Sequence, residues 1–359
     1  MTTAPEFSPK SVLVTGGAGF IGTNFVRLIL RESDAKVVVL DSLTYAGNLP
    51  NLDGLAEEHG ERFVFVKGDI CDAKLVAEVM ETHATNSVVH FAAESHVDRS
   101  IDGPGAFIQT NIMGTYYLLE AFRDVVMAKG DACRFHHVST DEVFGSLGDT
   151  GFFSESTAYD PSSPYSASKA GSDHLVRAWH RTFGVPMTLS NCSNNYGAYQ
   201  FPEKLIPVII FKALAEEPLP VYGDGLNVRD WLHVEDHCRA IWDILCRGQN
   251  GETYTVGGDA EKTNISLVKI LCSLLDAERP RSNGERYEEL ISFVTDRPGH
   301  DRRYAIDASK LKAELGWAPK YTFEDGLKQT VQWYLDNVAW VQALRDRAQN
   351  FSRIGLGKN

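Results

Sequence analysis

Over its first half the chain alternates short β-branched runs with helical stretches, and that alternation limits its fold more than any other feature. Residues 11–15 (SVLVT) read as a buried strand and 20–31 as a helix. Strands follow at 36–40 (KVVVL), 62–66 and 87–91 (SVVHF), with helical patterns over 72–82 and 104–128 and a further strand from 134 to 138. Strands separated by helices at this spacing pair in parallel through right-handed crossovers. The expected class is therefore α/β, a doubly wound parallel sheet.

Beyond residue 160 the pattern loosens. Pro161 and Pro164 precede a long helix over 165–183, and a strand follows near 187–191. After Asn194 the texture turns rich in Pro and Gly with helices between, which reads as a smaller, mixed α/β substrate lobe. The expected division is a nucleotide-binding domain over 1–193, to which 230–256 returns, and a substrate lobe formed by 194–229 and 257–359.

Composition removes several classes of function. The 359 residues are 43% hydrophobic and 23% charged, an ordinary globular balance. With 48 acidic against 35 basic side chains the net charge is −13, which repels nucleic acid and anionic membrane surfaces. No run approaches the ~18–20 apolar residues that span a bilayer, and residues 1–10 hold no apolar segment of signal-peptide length. A soluble, cytoplasmic protein is expected. The six cysteines form no C-x-x-C pair. Cys238 and Cys246 lie near His233 and His237, but that stretch reads as a helix, so buried free thiols are expected and no metal.

Gly16, Gly19 and Gly22 form G-x-x-G-x-x-G between the first strand and its helix. Glycines there let the backbone turn sharply and let a pyrophosphate approach the helix N-terminus, the Rossmann-type arrangement. Asp41 closes the second strand about 20 residues on, where a carboxylate accepts from both ribose hydroxyls and repels a 2′-phosphate. NAD is thus expected rather than NADP. Candidate cofactor contacts extend to Phe20 and Ile21 in the turn, and to Ser42, Leu43 and Thr44 after Asp41. Others fall at strand ends: Asp69 and Ile70 after the third strand, and Phe91, Ala92 and Ala93 after the fourth. Asp69 would meet the adenine amino group, or else cap the next helix. Ser95, Thr110 and Asn195 complete the set.

Tyr165 and Lys169 are four apart on a predicted helix and share a face, about 6 Å apart along its axis. A phenol near pKa 10 is a poor base, and a neighbouring ammonium with a cationic nicotinamide is expected to bring it toward the working range. Thr140, Asp141 and Glu142 end the strand that begins near Arg134. Oxidation of an alcohol needs only the tyrosine and a hydroxyl donor such as Thr140. Two adjacent carboxyl groups exceed that need. Burial beside a like charge splits their pKa values into an acid and a base, which suggests elimination of water from a transiently oxidised substrate.

These motifs resemble the extended short-chain dehydrogenase/reductase superfamily and, within it, the dTDP-glucose 4,6-dehydratase family. The resemblance runs from about Ser11 to Tyr334 and includes DSLTYAGN at 41–48, AAESHVDRS at 92–100, NNYG at 194–197, PEKLIP at 202–207, YGDGLNVRDWLH at 222–233 and DRPGH at 296–300. Phe144 and Ala198 stand where the family usually has Tyr and Pro, and ten residues precede the first strand.

The resemblance implies a redox cycle on dTDP-glucose. Tyr165 takes the proton of the 4-hydroxyl while carbon 4 gives hydride to NAD⁺, with Thr140 donating to the 4-oxygen. Glu142 then removes the proton on carbon 5, Asp141 protonates the departing 6-hydroxyl, and NADH returns hydride to carbon 6. It also implies that Asn194, Lys204, Leu205, Arg229, Asn264, Asp296, Arg297 and His300 hold the nucleotide diphosphate and base, that Pro220, Val221 and Tyr222 line the thymine pocket, and that Ser95 lies near the sugar. The related epimerases lack the Asp-Glu pair, and the decarboxylases typically keep only the glutamate. Asp141 is the residue that discriminates against both. Phe107, Ile108, Ile112, Tyr116, Leu119 and Phe122 form a wide apolar stripe that, with the Tyr165 helix, implies a homodimer built on a four-helix bundle. Ordinary packing on the sheet would satisfy the same stripe.

Overall fold

The computed structural model describes residues 6–296 and 299–347. Arg297, one of the expected anchors, lies outside the described residues. Six strands of the first half build one sheet: β1 (Ser11–Thr15), β2 (Lys36–Asp41), β3 (Phe63–Lys67), β4 (Ser87–His90), β5 (Arg134–Thr140) and β6 (Met187–Cys192). Three short strands follow in the second half, β7 (Asn194–Tyr196), β8 (Leu219–Tyr222) and β9 (Val228–His233). The remaining three are β10 (Thr253–Val256), β11 (Glu261–Thr263) and β12 (Ile291–Val294).

The large sheet has seven strands in the order β10-β6-β5-β4-β1-β2-β3, all parallel. Each face is covered, so β1 is buried at every position. Alternate side chains go to opposite faces. Val12, Val14, Val37 and Val39 meet Phe25 and Ile29 of the Phe20–Glu32 helix together with Ile241 and Leu245. Leu13, Val38, Leu40 and Val88 meet Val76, Leu118, Phe122 and Val176. The strand order reverses between β1 and β4, which opens a crevice at their carboxyl ends.

The expected 104–128 helix is helical throughout, but it is built of Pro104–Phe107, a π-turn at Ile108–Gly114, Thr115–Ala121, a second π-turn at Phe122–Val126 and a tight last turn at Met127–Lys129. The first π-turn turns Asn111 inward. Asn111 accepts from Glu94 N at 2.8 Å and donates to Glu94 O at 3.0 Å, fixing the loop after β4. The Pro164–Phe183 helix starts on a capping box formed by Ser163 and Ser166 and ends at Gly184, whose φ of +71° suits glycine.

The second half builds two small sheets, β11-β9-β7 and β12-β8. They pack with the Leu205–Leu214, Asn264–Glu278 and Phe323–Asp336 helices around a separate core that includes Ile209, Leu271, Leu327 and Tyr334. Residues 228–233 belong to the three-stranded sheet. The chain returns to the large sheet through the Val234–Arg247 helix and β10.

Asp236, on that returning helix, ties the two units together. Its two carboxylate oxygens accept from Lys320 N at 2.9 Å and Tyr321 N at 3.1 Å, and the residue is 1% exposed. Asp236→Ala strands both donors, so we expect a loss of about 2–4 kcal/mol in urea unfolding. An unchanged midpoint would contradict this role.

Candidate active site

The turn after β1 is shaped to exclude side chains. Gly16 has φ +73°, and a Cβ on it would lie 2.7 Å from Ala92 N. A Cβ on Gly22 would lie 2.2 Å from Gly16 O. Gly19 precedes the Phe20–Glu32 helix with no side-chain cap, so the first N–H groups of the helix, including those of Phe20 and Ile21, open the cradle. Asp41 spans the turn, accepting from Ala18 N at 2.9 Å through one oxygen and from Leu43 N at 2.8 Å through the other. Each oxygen keeps a lone pair for a ribose hydroxyl. Burial raises its carboxyl, and the two backbone donors oppose that.

The surrounding candidates divide. Ser42, Thr44 and Asp69 are exposed, while Ile70 packs beside Gly114 and Thr110 sits in the π-turn. Asp69 accepts from Cys71 N at 2.8 Å; the cap of the Ala73–Thr82 helix is Asp72, not Asp69. Phe91 is edge-on to Phe25 at 5.2 Å, and Ala92 N donates to Thr15 at 3.3 Å. Ala93 follows on the same loop. The small residues at 92–93 and the bare glycine turn fit a dinucleotide.

At the end of β5 the Thr140 hydroxyl organises the chemistry. It accepts from Glu142 N at 3.2 Å, donates to one oxygen of Asp141 at 3.2 Å and faces the Tyr165 phenol. Asp141 is 2% exposed, and its other oxygen has no partner among the described residues. Burial, and then the charge of Glu142, hold its carboxyl well above the usual range, which favours the protonated form.

Tyr165 is buried with Val97 and Phe107. Lys169 shares the helix face, yet burial and then the charge of Glu142 push the phenol well above its ordinary value. The ammonium is engaged elsewhere, donating to Val138 O at 2.9 Å. The protein's own groups therefore keep the phenol protonated.

A cavity of 270 Å³ opens beside Glu142. Asn194 and Asn195 line it from β7, Lys204 and Leu205 from the start of a helix, Pro220, Val221 and Tyr222 from β8, Arg229 from β9, and Asn264 and His300 close it. Ser95 and Asp296 are adjacent rather than lining: Ser95 O lies 3.4 Å from Lys204 Nζ, and Asp296 bonds His300 at 2.6 Å. Thr140, Asp141 and Tyr165 are grouped around Glu142. Arg229 is buried, donates to Val228 O and Asp301 O, and lies 4.2 Å over the Tyr304 ring.

Sequence reasoning missed His96, Glu203 and Trp231 in the cavity wall. Glu203 faces His96 at 3.7 Å and Arg99 at 3.8 Å. Burial pushes its carboxyl up to about 7, against the pull of Lys204 and Arg99. Its position beside Lys204 in PEKLIP was the available signal. Among the described residues no cluster of three or more His, Cys, Asp or Glu could hold a metal, and His237 bonds Asn195 at 2.9 Å.

A dinucleotide cradle and a Tyr/Lys helix set on one parallel sheet are the marks of an extended short-chain dehydrogenase/reductase acting on nucleotide sugars. Comparison narrows the class. The family model described as GDP-mannose 4,6 dehydratase matches residues 13–330. A dTDP-glucose 4,6-dehydratase of Xanthomonas campestris pv. campestris is 61% identical over 96% of this chain and 98% of its own. One from Neisseria meningitidis is 54% identical over 97% and 100%. The crystal structure of a Streptomyces venezuelae dTDP-glucose 4,6-dehydratase with NAD and TYD bound is 47% identical, with a TM-score of 0.86 over 93% of this chain and 99% of that one. A Thermotoga maritima UDP-glucose 4-epimerase shares the fold at a TM-score of 0.81 but only 28% identity. The family model and the relatives name different sugars, and the near full-length relatives are the more specific. The chain belongs to the dTDP-glucose 4,6-dehydratase family.

The cradle is open to direct test. Gly22→Ala drives a methyl group into the Gly16 carbonyl, and we expect NAD affinity by calorimetry to fall at least about tenfold, the effect of a mere 1.4 kcal/mol. Wild-type affinity in a folded variant would show that the turn does not hold the cofactor.

Proposed function

We infer that this protein converts dTDP-glucose into dTDP-4-keto-6-deoxyglucose and water by oxidation at carbon 4, elimination across carbons 5 and 6, and reduction at carbon 6. The observation that carries this reading is the Asp141-Glu142 pair, one carboxyl buried where the protonated form is favoured, the other on the cavity wall. An epimerase needs no such pair. Bound NAD supplies the acceptor and later the donor of one hydride, and its cationic ring favours phenolate at Tyr165.

The chain's own residues handle the protons. Tyr165 takes the proton from the 4-hydroxyl, and Thr140, facing the phenol, donates to the same oxygen. The resulting ketone acidifies the proton on carbon 5, which Glu142 removes. Asp141 gives its proton to the 6-hydroxyl, which leaves as water, and once carbon 6 is reduced Glu142 returns a proton to carbon 5. Lys169, held by Val138, fixes the helix face and carries positive charge toward the nicotinamide ribose. Lys204, Arg229 and Asn264 anchor the nucleotide diphosphate from the second lobe, and the β8 segment at 220–222 lines the base pocket.

The acid and the base separate in a single experiment. In D₂O, Glu142→Gln loses both solvent exchange at carbon 5 and product, whereas Asp141→Asn keeps the exchange but forms product at least about 100-fold more slowly. Retained turnover in Glu142→Gln removes the proposed base. For the wild type, kcat falls as pH rises through the raised pKa of Asp141, because only the protonated form can release water. That limb is absent in Asp141→Asn.

We propose also that two copies pair through the parallel 104–129 and 164–183 helices. Phe107, Leu119 and Phe122 turn inward, but Ile108 and Phe183 are 48% and 44% exposed. Between them, Tyr116 meets Trp179 at 5.9 Å and Trp179 meets Phe183 at 5.5 Å, so one apolar stripe runs along both helices. Ile108→Asp should shift the mass measured by light scattering from dimer to monomer. The six cysteines are free thiols, which supports a cytoplasmic setting.

A further inference from the structure

Behind the reacting strand end lies a buried charge that the reaction above does not use. Asp173 sits two turns beyond Tyr165 on the same helix and is fully buried. One carboxylate oxygen accepts from Ser139 Oγ at 2.9 Å, Tyr159 OH at 2.8 Å and Asn191 Nδ2 at 3.4 Å. The other faces His137 Nε2 at 3.1 Å. Asn191 Nδ2 also donates to Thr140 O at 3.0 Å. Ser139 and the carbonyl of Thr140 are thus both tied to one carboxylate, the first directly and the second through Asn191. A buried charge is costly unless fully partnered, and an apolar side chain would pack there more cheaply.

We propose that Asp173 is a positioning residue for the elimination. Through Ser139 and Asn191 it sets the direction in which Thr140, Asp141 and Glu142 leave β5, and through its charge it keeps Lys169, one turn away, an ammonium. The proposal rests on the dehydratase reading. The groups facing this pair are few: Lys169 and Arg177 on the same helix, His137 on β5, Tyr159 on the preceding loop, and His90 on β4 and Cys192 on β6 toward Lys169. Burial lowers His137 to about 4 and holds His90 well below its ordinary value, which favours the neutral form of both, and burial keeps the Cys192 thiol protonated. Burial also lowers Lys169, and Asp173 is the carboxylate that opposes this.

The test uses the full-length enzyme. Asp173→Asn keeps the shape, removes the charge and turns an amide N–H₂ toward groups that donate. With dTDP-glucose we expect kcat to fall about 100-fold, as displacement of a reacting group by an ångström can do. KM and NAD affinity should stay within about threefold. The alkaline limb of solvent exchange at carbon 5, a step that Asp141 does not enter, should move to lower pH, because Lys169 without its carboxylate loses its proton sooner. A role in packing alone would lower the unfolding midpoint and leave that limb in place. The double variant Ser139→Ala/Tyr159→Phe keeps the charge but releases the strand end, so kcat should fall with the limb unmoved. If Asp173→Asn folds, turns over within about threefold of wild type and keeps its limb, the assignment is overturned. If it does not fold, the double variant decides, and undiminished kcat there overturns it. Wild-type enzyme is assayed in parallel. Failure of the wild type to convert dTDP-glucose would overturn the functional reading and the assignment with it, whereas an active wild type with an equally active Asp173→Asn overturns the assignment alone.

Discussion

The packing of the Pro164–Phe183 helix against β5 is the constraint on which the rest of the molecule depends. Tyr165 and Lys169 come from the helix, and Thr140, Asp141 and Glu142 from the end of the strand. Neither element can act alone. Contact between them is fixed by the Lys169 bond to Val138 O and by the bond that Ser139 donates to Asp173.

Burial sets the charge states at that junction. A phenol and a carboxyl withdrawn from water both keep their protons, which is what an acid requires and the opposite of what a base requires. Lys169 donates to the Val138 carbonyl, and positive charge arriving in the cradle would favour phenolate at Tyr165.

The large sheet was legible because β1, β2 and β4 are short runs rich in valine and almost wholly buried, and the intervening helices carry clear periodicity. The glycine turn, Asp41 and the Tyr/Lys spacing were legible for a related reason: local chemistry fixes them within a few residues. What stayed hidden depends on distant contacts. The pairings of β7 with β9 and of β8 with β12 involve strands of three to six residues with no alternation to read. Glu203 reads as an ordinary surface charge until the fold buries it against His96 and Arg99. The surroundings of Tyr165 were only partly legible, because spacing reports that two side chains share a face, whereas burial and the Val138 carbonyl act on them from elsewhere in the fold.

The second lobe does more than anchor a nucleotide. Arg229 draws the Asp141 carboxyl down while Asp230, next to it on β9, pushes it up. Asp230 is itself fixed by Gly258 N at 3.0 Å and Ala260 N at 2.8 Å, and burial raises it to about 6. The acid is therefore tuned from both sides: by Glu142 and Thr140 on the large sheet, and by two adjacent residues of a strand in the small one. Because Arg229 also lines the cavity, a substrate diphosphate that engages it would weaken its pull on Asp141. Binding the anionic end of the substrate in one lobe would then strengthen retention of the proton that the other lobe must deliver.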